Sequence, residues 1–80
     1  MPSFTVFYRH PLHRSGSYEI ERADAATAGK EAVDMLAEDF ASDEDEMDEA
    51  VLDEIRMDLQ VEVYAGKRLD PPAEEPAWSR

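Results

Sequence analysis

The chain has 80 residues, no cysteine and a formal charge of −12. That length makes one domain whose core supplies only about 3–5 kcal/mol of net stability. Without cysteine there is no disulfide framework and no thiolate zinc site, and an anionic chain is repelled by nucleic acid and by anionic membranes, so a large partner is expected to be basic. Met1–Pro2–Ser3 opens no charged-then-apolar leader and no apolar run reaches 18 residues, so a reducing cytoplasm is the expected compartment.

Phe4–Arg9 (FTVFYR) is rich in aromatic and β-branched residues, as strands are. Phe4, Val6 and Tyr8 alternate onto one face, and Thr5, Phe7 and Arg9 onto the other. His10–Gly16 (HPLHRSG) is a loop punctuated by proline and glycine. Ser17–Arg22 (SYEIER) alternates again with Tyr18 and Ile20 inward, which predicts an antiparallel hairpin.

Asp24 is a good N-cap, and Ala28, Ala32, Leu36 and Phe40 then recur every four residues, flanked by Ala25, Val33 and Met35. Gly29 lies inside this helix at a cost of about 1 kcal/mol relative to alanine, and a glycine there lets the helix lie close to the sheet. Ser42 is the expected cap of a second helix, with Asp45 in the capping-box position. Met47, Val51 and Ile55 give its buried stripe, helped by Ala50 and Leu52. The two stripes stay roughly in phase through Phe40 and Met47, so one continuous helix is also open. Leu59, Val61 and Val63 alternate as a third strand that Gly66 ends. Lys67–Arg80 holds three prolines and is expected to be extended or disordered. The sequence thus predicts an α+β domain over residues 1–66, a three-stranded antiparallel sheet in β-β-α-α-β order with helices on one face, followed by a tail over 67–80. Phe7 and Tyr64 share the face without helices. Either Trp78 folds back over that face, or it pairs with a second copy to make a homodimer.

Charge is distributed unevenly. Between Glu31 and Asp58 stand thirteen Asp or Glu residues and one Arg, while residues 1–30 sum to +1 and residues 59–80 to −1. On a helix, residues three and four apart are neighbours. Seven like-charge neighbours follow: Asp43–Glu46, Glu44–Asp48, Asp45–Asp48, Asp45–Glu49, Glu46–Glu49, Glu49–Asp53 and Glu54–Asp58. At roughly 0.2–0.5 kcal/mol each they cost about 1.5–3.5 kcal/mol together, against one favourable pair, Asp53–Arg56. The helix dipole offsets acids of the first turn by roughly 0.3–1 kcal/mol each. That leaves Asp48, Glu49, Asp53, Glu54 and Asp58 as the uncompensated set.

Three readings of this run compete. A solvated helix face is the plainest. Salt adaptation would spread acid over the whole surface, whereas both ends of this chain are near neutral. Nucleic-acid mimicry sets carboxylates one helical turn apart in a groove that otherwise holds phosphates. A calcium loop at Asp43, Asp45 and Asp48 fails, because Met47 stands where a ligand is needed and no glycine occupies the sixth position. His10 and His13 form H-x-x-H without further ligands, and with Arg9 and Arg14 they read as a small solvated basic loop. Ser3, Ser15 and Ser17 lack an orienting acid, and there is no glycine-rich phosphate loop, so neither an enzyme nor a cofactor is expected.

Tyr18, Ile20, Glu21, Ala23, Asp24, Ala28 and Ala32 (Y-x-I-E-x-A-D-x-x-x-A-x-x-x-A) form a strand-to-helix unit that resembles the DpnD/PcfM-like small proteins of phages and plasmids, which implies a mobile-element origin. Over its full length the chain is similar to the small acidic anti-CRISPR proteins of phages in size, absence of cysteine, α+β core and single anionic surface. Among these it resembles the inhibitors of type I-C Cascade. That resemblance implies a non-enzymatic inhibitor in the bacterial cytoplasm, bound to the positive DNA-binding surface formed by the backbone subunits of the crRNA-guided complex. It carries over no binding residue. The candidates come from the charge pattern alone: Glu38, Asp39, Asp43, Glu44, Asp45, Glu46, Asp48, Glu49, Asp53, Glu54 and Asp58. The alternative is a phage or plasmid accessory protein with a solvated acidic face that dimerises through its open sheet.

Overall fold

The structure, a computed structural model, describes residues 2–43 and 48–80. Its elements run β1 (Ser3–Arg9), β2 (Ser15–Glu21), α1 (Ala25–Asp43), α2 (Glu49–Asp58), β3 (Gln60–Ala65) and β4 (Trp78–Ser79), an α+β arrangement. All strand pairs are antiparallel, in the order β2-β1-β3-β4. Alternation in β1 places Phe4, Val6 and Tyr8 opposite Ile20, Tyr18 and Gly16 on one side and Ala65, Val63 and Val61 on the other.

The sheet has four strands rather than the three expected, because the tail returns to it. Ala77 N–H donates to Val63 O at 2.8 Å, and Arg80 exchanges backbone bonds with Val61 at 2.8 and 3.1 Å. Pro71, Pro72 and Pro76 all precede the paired residues, so none of them interrupts the ladder. Gly66, at φ +80°, turns the chain out of β3.

Asp24 caps α1, its Oδ1 accepting from Thr27 N–H at 2.7 Å, and this bond holds the carboxyl below its ordinary pKa. Ala28, Ala32, Val33, Leu36, Ala37, Phe40 and Ala41 are buried, facing Phe4, Val6, Val61 and Val63 of the sheet. Phe40, Val6, Val61 and Val63 are among the fully buried side chains, each worth roughly 1.5–3 kcal/mol in the core. The expectation for the second helix is corrected. Ser42 lies within α1, and the N-cap of α2 is Asp48, whose side chain accepts from Ala50 N–H at 3.3 Å. Glu44, Asp45, Glu46 and Met47 lie outside the described residues. Leu52 and Ile55 are the buried stripe of α2, Val51 is half-buried, and Ala50 is exposed.

Trp78 does not cover the face of Phe7 and Tyr64. It pairs with Val63 and packs on the core at Gly29, where a Cβ would meet the indole at 2.6 Å from Cδ2 and closer still to Cε3 and Cζ3. Gly29 thus admits the tail beneath α1, not only the helix to the sheet. The opposite face is covered at its Thr5 and Tyr64 end by the chain that follows β3, while Phe7 stays half-buried. Thr5 Oγ1 donates to Gly66 O at 2.7 Å and accepts from Arg68 N–H at 3.0 Å. Pro71 and Phe7 line one groove there. Tyr64 meets Phe7 edge-on at 5.6 Å and is 4% exposed. Among the described residues no helix is long and apolar enough to cross a membrane.

Candidate functional site

The acidic surface is a consequence of helical periodicity. Burying positions 32, 33, 36, 37 and 40 of α1 turns Glu31, Asp34, Glu38 and Asp39 outward. Burying Leu52, Ile55 and Leu59 turns Glu49, Asp53, Glu54 and Asp58 outward on α2. Asp43 ends α1. Of the seven like-charge neighbours, only Glu49–Asp53 and Glu54–Asp58 lie within the described residues.

Arg56 joins the two helices. Its Nε stands 3.3 Å from Asp34 Oδ1 on α1, and its Nη1 is 3.1 Å from Asp53 Oδ1 on α2. The Arg56 side chain is only 23% exposed, so this cation is set between the helices and not draped over them. Asp34 and Glu38, one turn apart, therefore share one surface with the outward acids of α2. Two further arginines reach it from the hairpin. Arg14 Nη2 lies 2.5 Å from Asp39 Oδ2, and Arg22 pairs with Glu31. Hydrogen bonds with Tyr8 and with Asp39 raise the Arg14 pKa further.

These contacts divide the candidate residues anew. Asp39 is neutralised by Arg14, and Asp53 by Arg56. Asp48 caps α2, and Glu49 lies in its first turn, where the helix dipole favours a carboxylate. Two of the five acids expected to be uncompensated, Asp48 and Asp53, thus have a cap or a local partner, and Glu49 has the dipole. Of the described candidate acids, Glu38, Glu54 and Asp58 have no ion pair, no capping role and no first-turn position. The cap at Asp48 sets the start of α2 and carries the same local signal as Asp24, an aspartate before an apolar-periodic run, which the neighbouring acids conceal; the Arg56–Asp34 contact has no local signature in the sequence. The signal for Asp34 and Glu31 was present, since both stand on the same helical stripe as Glu38.

The loop between β1 and β2 is not the solvated basic loop expected. His10 is 4% exposed. The His13 ring stacks on Phe40 at 4.7 Å with 6° between planes, His10 meets Phe40 edge-on at 5.7 Å, and the Arg14 guanidinium lies 5.0 Å from the same ring. Phe40, projecting from the far end of α1, gives the loop an apolar seat that no short-range pattern announces. Glu54 and Asp58 line a cleft of about 170 Å³ with His10, Leu12 and Val51. No group of three or more potential metal ligands converges among the described residues. No protein-family model, curated protein or solved structure matches the chain.

Proposed function

We propose that the protein is a non-enzymatic inhibitor whose two helices stand in for nucleic-acid phosphates. Its target is the positively charged DNA-binding surface of a crRNA-guided surveillance complex of Cascade type, in the cytoplasm of a bacterial host. The observation that carries this reading is Arg56 between Asp34 and Asp53. It ties the outward acids of α1 and α2 into one surface, so carboxylates about one helical turn apart, near 5–6 Å, stand on a fixed frame. Glu38, Glu54 and Asp58 keep their charge for a partner. Association with a basic groove is then steered by charge and weakened by salt.

A binding experiment tests the proposal. Purified type I-C Cascade is titrated with the protein, and capture of target DNA is followed by mobility shift at low and at high salt. Loss of DNA capture, relieved by salt and by Glu38→Gln with Glu54→Gln and Asp58→Asn, is the expected result. Unchanged DNA capture at every protein concentration excludes this target. Inhibition that ignores both salt and the three substitutions excludes mimicry. The accessory-protein reading, a dimer through the open sheet, has less of that face to use, because Gly66 and Arg68 lie against Thr5 and Tyr64 is buried.

A further inference from the structure

β2 is an edge of the sheet, and its seven residues (Ser15–Glu21) hold no proline. Two backbone bonds fix which groups it turns outward. Arg22 N–H donates to Pro2 O at 3.2 Å, and His10 N–H donates to Arg14 O at 3.1 Å. In an antiparallel pair, bonded and non-bonded positions alternate. Positions 14, 16, 18, 20 and 22 therefore bond to β1. Ser15, Ser17, Glu19 and Glu21 point their N–H and C=O groups away from the sheet. On the helix side of the strand, Tyr18 and Ile20 are only half-buried. The helix layer stands over β1, β3 and β4, and leaves β2 at its margin.

We propose that β2 pairs with β2 of a second copy, antiparallel, about a two-fold axis at Tyr18. This register is selected by three constraints. The outward groups must face outward groups, which requires odd positions opposite odd positions. The overlap is greatest when Ser15 meets Glu21 and Ser17 meets Glu19 of the second copy, and all four outward residues of each strand then bond through both backbone groups. Charge selects the same register. A shift by two positions in one direction sets Glu19 against Glu19 of the second copy, and like charges directly opposite destabilise a sheet. In the centred register every carboxylate of β2 faces a serine. Arg22 and Arg14 of the second copy fall opposite each other at the ends, each already paired with its own Glu31 or Asp39. Tyr18 meets its own copy at the axis, and Ile20 covers Gly16. The result is one eight-stranded sheet with an acidic helical surface on each half.

Sedimentation velocity over a concentration series, in 0.1 and 1 M salt, tests the pairing. A dimer is expected, and it tightens with salt because each copy carries −12. That dependence is opposite in sign to the one expected for a basic target, so failure of either contact is separable from failure of the other. Ser17→Pro removes an outward N–H and no bond to β1, and abolishes the dimer. Ser17→Lys faces Glu19 of the second copy twice by symmetry and lowers the dissociation constant roughly five-fold, while Ser17→Glu raises it by a similar factor. A monomer under all conditions overturns the proposal. So does a dimer that both Ser17→Pro and the Ser17→Lys and Ser17→Glu pair leave unchanged.

Discussion

The indole of Trp78 occupies the space that a side chain on Gly29 would need. These residues come from the helix that follows the hairpin and from the last strand of the sheet. Their contact holds the C-terminal segment under α1. A Cβ at position 29 would come within 3.0 Å of three ring atoms, and the ring is a rigid neighbour.

Gly29→Ala is therefore expected to destabilise the protein, although alanine is the better helix former. The helix gains about 1 kcal/mol from propensity. Overpacking costs about 1–3 kcal/mol, and displacing the indole also exposes the apolar surface it covers. The net expectation is a loss of about 1–2 kcal/mol in urea unfolding. Trp78 is the only tryptophan, so its fluorescence reports the same event directly. Its emission shifts to the red in Gly29→Ala under native conditions. An unshifted spectrum with raised stability contradicts the contact.

The hairpin, the capped helix α1, β3 and the burial of Phe4, Val6, Leu36, Phe40, Val61 and Val63 were legible because each rests on a local pattern of period two or near four. The fourth strand was not. Its two residues carry no alternation, and their pairing depends on Val61 and Val63 leaving an unpaired edge. The seat of His10 and His13 on Phe40 was hidden for a similar reason, since it joins a loop to a helix some thirty positions along the chain. In the acidic surface, exposure was legible from the stripe, but compensation was not. Arg56 has a visible partner in Asp53 at three residues' distance, whereas Asp34 reaches it only through helix packing.

Tyr18 gives a prediction at alkaline pH. Burial pushes its hydroxyl up to about 12 from an ordinary value near 10, and among the described residues its buried Oη has no hydrogen-bond partner. Folding therefore favours the neutral form. The contribution is complete below about pH 10, where both states hold the proton, and is lost as pH rises toward about 12. Tyr18→Phe removes that part of the alkaline loss. It also removes an unsatisfied buried polar atom, and is expected to stabilise the neutral-pH protein by roughly 0.5–1 kcal/mol. Urea unfolding of both forms at pH 8 and pH 11 measures each effect. A parallel fall in the two proteins contradicts the assignment.

Asp48 and Glu54 are both exposed acids of the same segment, yet their substitutions should act in opposite directions. Asp48→Ala removes the oxygen that accepts from Ala50 N–H, and loss of such a cap costs about 0.5–2 kcal/mol. Glu54→Gln removes a like-charge neighbour of Asp58 and gains roughly 0.2–0.5 kcal/mol. Thermal unfolding at low salt reads both. If both substitutions destabilise alike, Glu54 is holding structure and is not a charge kept for a partner.

Arg56 is the cation that lies between Asp34 of α1 and Asp53 of α2. Arg56→Met keeps much of the side chain's apolar stem and deletes the charge. Asp34 and Asp53 then face each other across the helix junction without a cation. Two partly exposed ion pairs at about 0.2–1 kcal/mol each set the expected loss near 1 kcal/mol at low salt. Salt screens the new repulsion, so the difference from the parent protein narrows as ionic strength rises from about 0.05 to 0.5 M. The functional consequence separates position from quantity of charge. Arg56→Met makes the protein more anionic, so a target that responded only to net charge would bind it more tightly. A target that reads carboxylates held in place across both helices binds it more weakly, despite the added negative charge. Titration of Cascade with parent and Arg56→Met proteins at equal salt distinguishes the two, and tighter binding by the substituted protein would remove Arg56 from the site.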